Sequence, residues 1–379
     1  MTEQTMTTPM GAFTLQRQPH APHLPLQAWD SADSFLLELL TDDYRDITVV
    51  NDAFGALTVS LNDRVQQSWS DSEQAAIACR RNATLNGLDA DNLMTHWLPM
   101  SHNIAEPRGV IVLKIPKSMA LLHWQLQSLS AIAPEGAELW LAGMDKHIRK
   151  SQFDAVAQYF GPVNPLKGRK KARVWQATNA KQSAMPPRFT PGYVLPNTDI
   201  MLAQTPGIFC GNQLDMGTRL FLDSLHQLPK AALVGDLGCG NGVLGLAYLK
   251  KHPDAEVVMV DESAMAVACA EENLLRAFGE SQRSHAFQAD AMPLSADRPF
   301  DLIVCNPPFH QGTTVTTELA QDLFKSAETS LRPGGQLWVV ANRHLQYHVV
   351  LKKLFGRCTT VTGDSKFVIL MVQKAEQEA

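Results

Sequence analysis

Asn306-Pro307-Pro308-Phe309 stands at the end of an apolar run, Asp301-Leu302-Ile303-Val304-Cys305, and gathers what a planar amine needs in order to be alkylated. An exocyclic amino group on a base or amide is a poor nucleophile, because its lone pair is delocalised into the ring or carbonyl. The Asn306 side-chain carbonyl and the Pro307 backbone carbonyl can accept its two N–H bonds and draw the nitrogen toward sp³ character, while Phe309 stacks on the flat face. That chemistry is methylation of a nitrogen, with Asn306, Pro307, Pro308 and Phe309 as the catalytic set. The same four residues also fit a plain strand-ending Pro-Pro turn, so the reading depends on what surrounds them.

Upstream, Ala231-Ala232-Leu233-Val234 reads as a buried strand, and Asp236-Leu237-Gly238-Cys239-Gly240-Asn241-Gly242 as a tight turn opening an apolar helix from Val243 to Lys251. Bare backbone at a helix N-terminus lets a cofactor lie close, which points to Gly238, Cys239, Gly240, Asn241 and Gly242, with Asn306 nearby, as cofactor contacts. A second run, Glu256 to Val260, ends in Asp261, whose carboxylate at a strand tip suits a pair of ribose hydroxyls. Read as Gly240-x-Gly242-x-x-Gly245, the same glycines fit a dinucleotide fingerprint. Asp236 weighs against that reading, since an acid two residues before the first glycine repels a pyrophosphate but could hold a methionine ammonium. S-adenosylmethionine is therefore the expected cofactor. Asp290, after a third strand-like run, could accept from an adenine amino group. Phe209 could wall the cofactor or the target base, and core packing serves it equally. Asp215 and Thr218 could cap a helix or reach toward the cofactor, and His310 could contact a phosphate or base edge.

Strand-like runs alternate with amphipathic stretches, as in Val110 to Ile115 before Met119 to Ile132, or Leu302 to Cys305 before Glu318 to Leu331. That alternation implies α/β architecture with doubly wound, mostly parallel sheets and a ligand at the C-terminal edge of the strands. The 379 residues suffice for two domains. Five prolines between Ser183 and Pro206 argue for a linker or irregular edge segment and place the boundary near 185, giving domains 1–185 and 186–379.

A net charge of −5 provides no overall basic footprint, so nucleic-acid contact would have to come from a local patch. Lys167, Arg169, Lys170, Lys171 and Arg173, followed by Trp175, have the charge and the aromatic of an RNA-contacting linker, although a solvated tether is the commoner use of such a run. Met1 to Gly11 lacks the basic head and apolar core of a signal peptide, and no apolar run approaches the roughly eighteen residues of a membrane span. Cys79, Cys210, Cys239, Cys269, Cys305 and Cys358 are scattered without metal-ligand spacing, as small core residues in a reducing cytoplasm would be. A monomer without a metal is expected.

The two halves echo each other. Val110 to Lys117 matches Asp301 to Pro308 about 190 residues later, and Pro134 to Trp140 matches Pro333 to Trp338. Ser72, Ala75 and Asn82 likewise match Ser263, Ala266 and Asn273. In this alignment Asp52-Ala53-Phe54-Gly55-Ala56 replaces the glycine turn and Ile115-Pro116-Lys117-Ser118 replaces the tetrapeptide. The first half therefore keeps the fold signals and loses the site.

With Asn306-Pro307-Pro308-Phe309-His310 and Asp236 to Gly242 as the matching motifs, nearly the whole chain resembles the two-domain ribosomal RNA guanine-N2 methyltransferases of bacteria. Leu26 to Trp29, Asn51 to Leu57, Val260 to Ser263 and Val340 to Leu345 look closest to the large-subunit branch. The resemblance implies two tandem Rossmann-like methyltransferase domains, the N-terminal one degenerate and helping to bind RNA. It further implies methyl transfer to N2 of a guanine in 23S ribosomal RNA. Because the tetrapeptide also serves other amines, 16S ribosomal RNA and a protein glutamine remain alternative substrates, and an RNA-binding assembly factor with a vestigial pocket is the non-enzymatic alternative.

Overall fold

In the computed structural model, residues 4–19, 26–90, 95–96, 105–166, 168–178, 189–208, 213–279, 284–293, 297–307 and 314–376 are described. The chain divides into two compact units, Met1–Arg188 and Phe189–Ala379. Pro308, Phe309, His310, Phe209 and Lys167 lie outside the described residues.

The first unit opens with an antiparallel hairpin, β1 (Thr5–Thr8) and β2 (Gly11–Thr14). Its sheet comprises β3 (Ile47–Val50), β4 (Val65–Trp69), β5 (Thr95–His96), β6 (Ile111–Lys114), β7 (Leu139–Met144), β8 (Asn164–Pro165) and β9 (Ala172–Ala177). Their order is β5-β4-β3-β6-β7-β9-β8, parallel until β9 and β8 run antiparallel. Helices α1 (Ser31–Leu39), α2 (Ala56–Leu61) and α3 (Glu73–Leu85) bury apolar side chains on one face. On the other lie α4 (Met119–Ile132) and α5 (Lys150–Phe160).

The second unit repeats this plan. A hairpin of β10 (Thr190–Val194) and β11 (Met201–Gln204) precedes the sheet strands β12 (Leu233–Leu237), β13 (Glu256–Asp261), β14 (His285–Gln288), β15 (Phe300–Cys305), β16 (Leu331–Asn342), β17 (Thr359–Gly363) and β18 (Phe367–Gln373). Their order, β14-β13-β12-β15-β16-β18-β17, matches the first sheet position for position. Helices α6 (Met216–Asp223), α7 (Val243–Lys251) and α8 (Ala264–Phe278) cover one face, and α9 (Thr314–Ser330) and α10 (Tyr347–Phe355) the other. Both units are doubly wound, mostly parallel sheets covered on both faces, which is why their central strands read as continuous apolar runs.

The duplication reaches individual side chains. Ser72 and Ser263 cap α3 and α8 by accepting the Ala75 and Ala266 amides. Asn82 binds the Phe54 carbonyl and both backbone groups of Gln16, as Asn273 binds the Asn241 carbonyl and both backbone groups of Ala203. Each unit thus pins its own leading hairpin to its strand–helix turn. The prolines of 183–206 predict a linker or irregular edge, whereas the described part from Thr190 is this hairpin. Pro191 sits in it beside a register shift, where a strand tolerates a missing donor.

Strand register also corrects the alignment of the halves. Val50 pairs with Leu113 and Leu237 with Cys305, so Lys114, not Ile115, is the counterpart of Asn306. The interval between copies is 191 residues from Ser72 to Ser263 but 192 from Lys114 to Asn306, and a fixed offset slips by one.

Candidate active site

The turn after β12 passes through three left-handed glycines, with φ of 72° at Gly238, 56° at Gly240 and 81° at Gly242, which other residues adopt only at a cost. The Gly238 and Cys239 amides both donate to the Val260 carbonyl at 2.8 and 3.0 Å, and the Gly242 amide to the Cys239 carbonyl at 2.8 Å. The turn is thereby stapled to the end of β13. A Cβ added to Gly238 would meet nothing within 4 Å, so open space lies over the backbone there.

Asp261 ends β13 half-buried. One carboxylate oxygen accepts the Gly240 amide and the other the Ser263 amide, each at 2.9 Å. The Glu262 amide also bonds this carboxylate, so three backbone amides hold it. Burial raises its pKa more than these amides lower it. The Ala289 amide binds the Asp261 carbonyl at 3.0 Å, which brings half-buried Asp290 to the neighbouring strand exit.

Asp236 lies at the base of this turn. It is 1% exposed, and its Oδ2 accepts the Gly245 amide at 2.8 Å. It anchors the start of α7 from below. A Cβ at Gly245 would come within 2.6 Å of the Met259 methyl and 3.1 Å of Asp236 Oδ2, so glycine is what lets α7 ride close to the sheet. Asn241 and Cys239 are also buried parts of the turn. The Asn241 amide donates to the Tyr193 hydroxyl at 3.2 Å, a neighbour that sequence reading missed because it comes from the hairpin. Burial holds the Cys239 and Cys305 thiols well above their ordinary pKa, which unsuits either to thiolate chemistry.

Burial pushes the Asp236 carboxyl up to about 7 from an ordinary 3.8. A folded-state value above the unfolded one favours the fold most below the unfolded value, and that contribution is lost as pH rises through about 7. Asp236→Asn keeps an acceptor for the Gly245 amide and abolishes this titration. The variant is expected to lose less stability than the parent between about pH 5 and 8. Chemical denaturation at both pH values checks it, and identical losses would contradict it.

Asn306 follows β15 beside the glycine turn, because Cys305 is in register with Leu237. Its Nδ2 donates to Thr218 Oγ1 at 2.9 Å, and the Thr218 hydroxyl donates to Asp215, the N-cap of α6. Its Oδ1 is buried and has no hydrogen-bond partner among the described residues. A buried carbonyl oxygen without a donor is costly, and here it waits where a ligand N–H could satisfy it. Pro307 is buried next to it. The exits of β14, β13, β12 and β15 thus carry Asp290, Asp261, Gly238 and Asn306 along one edge of the sheet.

The basic stretch sits elsewhere, in the first unit, and not in a linker. Lys170 and Lys171 form the tip between β8 and β9 with φ of 47° and 63°. Arg169 pairs with Glu38 and Arg173 with Asp145, so part of the positive charge is already matched. Trp175 cannot stack on a base, since it is 6% exposed and packs on Phe153 with ring centroids 4.8 Å apart. Strand β9 is flanked by β7 and β8, and its sheet is covered on both faces.

The counterpart of the site in the first unit is filled from within. Lys114, in the place of Asn306, donates to Asp30 and Asp33 of α1. Asn51, in the place of Gly238, exchanges hydrogen bonds with Gln125 and donates to the Lys114 carbonyl at 2.9 Å.

The Methyltransferase small domain family matches residues 199–371, and the family described as RLMG N-terminal domain matches residues 3–181. The chain is 41% identical over 375 residues to ribosomal RNA large subunit methyltransferase G of Pseudomonas paraeruginosa, covering 97% of this chain and 99% of that one. It is 40% identical over 389 residues to the protein of that name from Alcanivorax borkumensis, covering 96% of each. Among solved structures, a 16S rRNA N2 methyltransferase of T. thermophilus, in complex with AdoMet and guanosine, superposes with a TM-score of 0.75 over 98% of this chain and 97% of that one. At 23% identity, that likeness speaks for the fold.

Proposed function

The chain belongs to the ribosomal RNA large subunit methyltransferase G family, and on that premise we propose that its second unit transfers a methyl group from S-adenosylmethionine to the exocyclic N2 of a guanine in 23S ribosomal RNA. The observation that carries the nitrogen chemistry is the buried Oδ1 of Asn306 at the end of β15, which has no hydrogen-bond partner among the described residues.

The residues fit such a cofactor. Asp261 would take the ribose hydroxyls on its carboxylate, Asp290 the adenine amino group, and the space over Gly238 the methionine portion. When bound, the cofactor supplies a methyl group made electrophilic by its sulfonium. The protein supplies position. Asn306 Oδ1 and the Pro307 carbonyl accept the two N–H bonds of the guanine amine and aim its lone pair, and Phe309 stacks on the extruded base. No strong base is required, because the nitrogen becomes acidic once alkylated and can release its proton afterwards.

The first unit, its site plugged by Lys114 and Asn51, serves to hold RNA. Lys170 and Lys171 are the cations of the basic stretch without a carboxylate partner among the described residues. Replacing both by Ala should weaken 23S RNA binding and reduce the slope of log K against log salt by about 2. Unchanged affinity and slope would remove them from the interface. Transfer of label from S-adenosylmethionine to separated 23S and 16S ribosomal RNA tests the substrate. Label is expected in 23S RNA, and label confined to 16S RNA would overturn the assignment.

A further inference from the structure

Asn306 serves as an acceptor only if its amide is turned one way. A side-chain amide has an acceptor oxygen on one side and an NH2 donor on the other, and a rotation of about 180° exchanges them with little change of shape. Something must hold the flip, and the groups that can do so lie on α6. Asp215 Oδ1 accepts the Gly217 and Thr218 amides at 2.8 and 3.1 Å, and its Oδ2 accepts the Thr218 hydroxyl. A carboxylate has no proton to give, so the single hydrogen of that hydroxyl is committed to it. Thr218 Oγ1 is left with lone pairs alone and can receive only a donor. It receives Nδ2 of Asn306 at 2.9 Å. Oδ1 must then face the other way, where it is buried without a described partner. Thr218 is 3% exposed, so bulk water does not compete for its oxygen.

The first unit has the same frame with different chemistry. Asp30 caps α1 as Asp215 caps α6, Asp33 holds the position of Thr218, and Lys114 that of Asn306. Lys114 Nζ again donates to the helix, at 2.9 Å to Asp30 and 2.5 Å to Asp33. Both copies ask a donor of the residue leaving the fourth strand. Only Asn306 also has an acceptor to present on its other side. We propose that Asp215 and Thr218 are positioning residues that lock the Asn306 amide with Oδ1 toward the reacting amine. This rests on the reading of Asn306 as the amine's acceptor.

Thr218→Val keeps the shape and removes the hydroxyl. Turnover should fall on the order of 10²-fold, while KM for RNA and the cofactor Kd stay within about threefold. Thr218→Ser, which retains the hydroxyl, should restore turnover to within about threefold of the parent. Asp215→Asn keeps a good helix cap but gives Thr218 a neighbour able to donate as well as accept, so turnover should drop about tenfold through partial flipping. The decisive arm is a single-turnover cycle with Asn306→Ala. If the relay acts through Asn306, Thr218→Val adds no further loss in that background. Parental turnover by Thr218→Val, or an equal additional loss in the Asn306→Ala background, overturns the relay. An Asn306→Ala protein that still transfers methyl overturns the reading of Asn306 itself. Should Thr218→Val fold poorly, seen as lost cofactor binding, the Ser and Asn substitutions decide, and parental turnover by Asp215→Asn also counts against the relay.

Discussion

Asn306→Ala is expected to yield a protein that binds S-adenosylmethionine nearly as the parent does and transfers methyl groups on the order of 10³-fold more slowly. The substitution removes the side-chain acceptor that follows β15 and leaves the glycine turn, Asp261 and Asp290 intact. Because the amine's interaction with Oδ1 strengthens as its nitrogen becomes tetrahedral and positively charged, the loss should fall on turnover more than on substrate binding. Equilibrium binding of labelled cofactor, set beside single-turnover transfer, separates the two. A variant transferring methyl at parental rate would remove Asn306 from the chemistry.

Lys114→Met is expected to cost the first unit about 3–5 kcal/mol at neutral pH, because removing one partner of a buried pair strands the other. The Lys114 side chain is 14% exposed and that of Asp33 9%. Burial already pushes the Asp33 carboxyl up to about 6 against the pull of the ammonium, and the charges of Asp30 and Asp52 push the same way. With a folded-state value above the ordinary 3.8, this carboxyl favours folding fully at acidic pH and loses that contribution as pH rises through about 6. Without the ammonium the folded value climbs further, so the deficit should be smallest near pH 4 and largest above about 6. Six of the seven tryptophans, Trp29, Trp69, Trp97, Trp124, Trp140 and Trp175, belong to this unit, which makes fluorescence-monitored denaturation of the intact chain a suitable readout. Adding Asp33→Asn should recover most of the loss. A pH-independent deficit, or none, would contradict this account of the plugged site.

The parts of the site legible in the sequence were those whose meaning is local. Glycines at 238, 240 and 242 are where the chain turns left-handed, Asp261 and Asn306 fall at strand exits, and Ser72 and Ser263 cap equivalent helices. What escaped depends on distance through space. The bond from Asn306 to Thr218 spans 88 positions, and no motif announces it. The pairing of Lys114 with Asn306 was off by one residue, because loops of unequal length separate the elements and only strand register restores the alignment. The bond from the Gly245 amide to Asp236 joins α7 to β12, and no motif announces it either. Trp175 reads as a stacking platform, yet it packs on Phe153 of α5 and is 6% exposed, a contact set by the tertiary fold.

Guanine N2, presented to the exit of β15 in the second unit, is the proposed site of methylation. Digestion of 23S ribosomal RNA, methylated by the intact protein with labelled S-adenosylmethionine, to single nucleosides tests it most directly. The label is predicted to co-migrate with N2-methylguanosine alone. Label in a ribose 2′-O-methyl nucleoside or in 5-methylcytidine would contradict the amine-acceptor role of Asn306, and label in N6-methyladenosine would contradict guanine as the target.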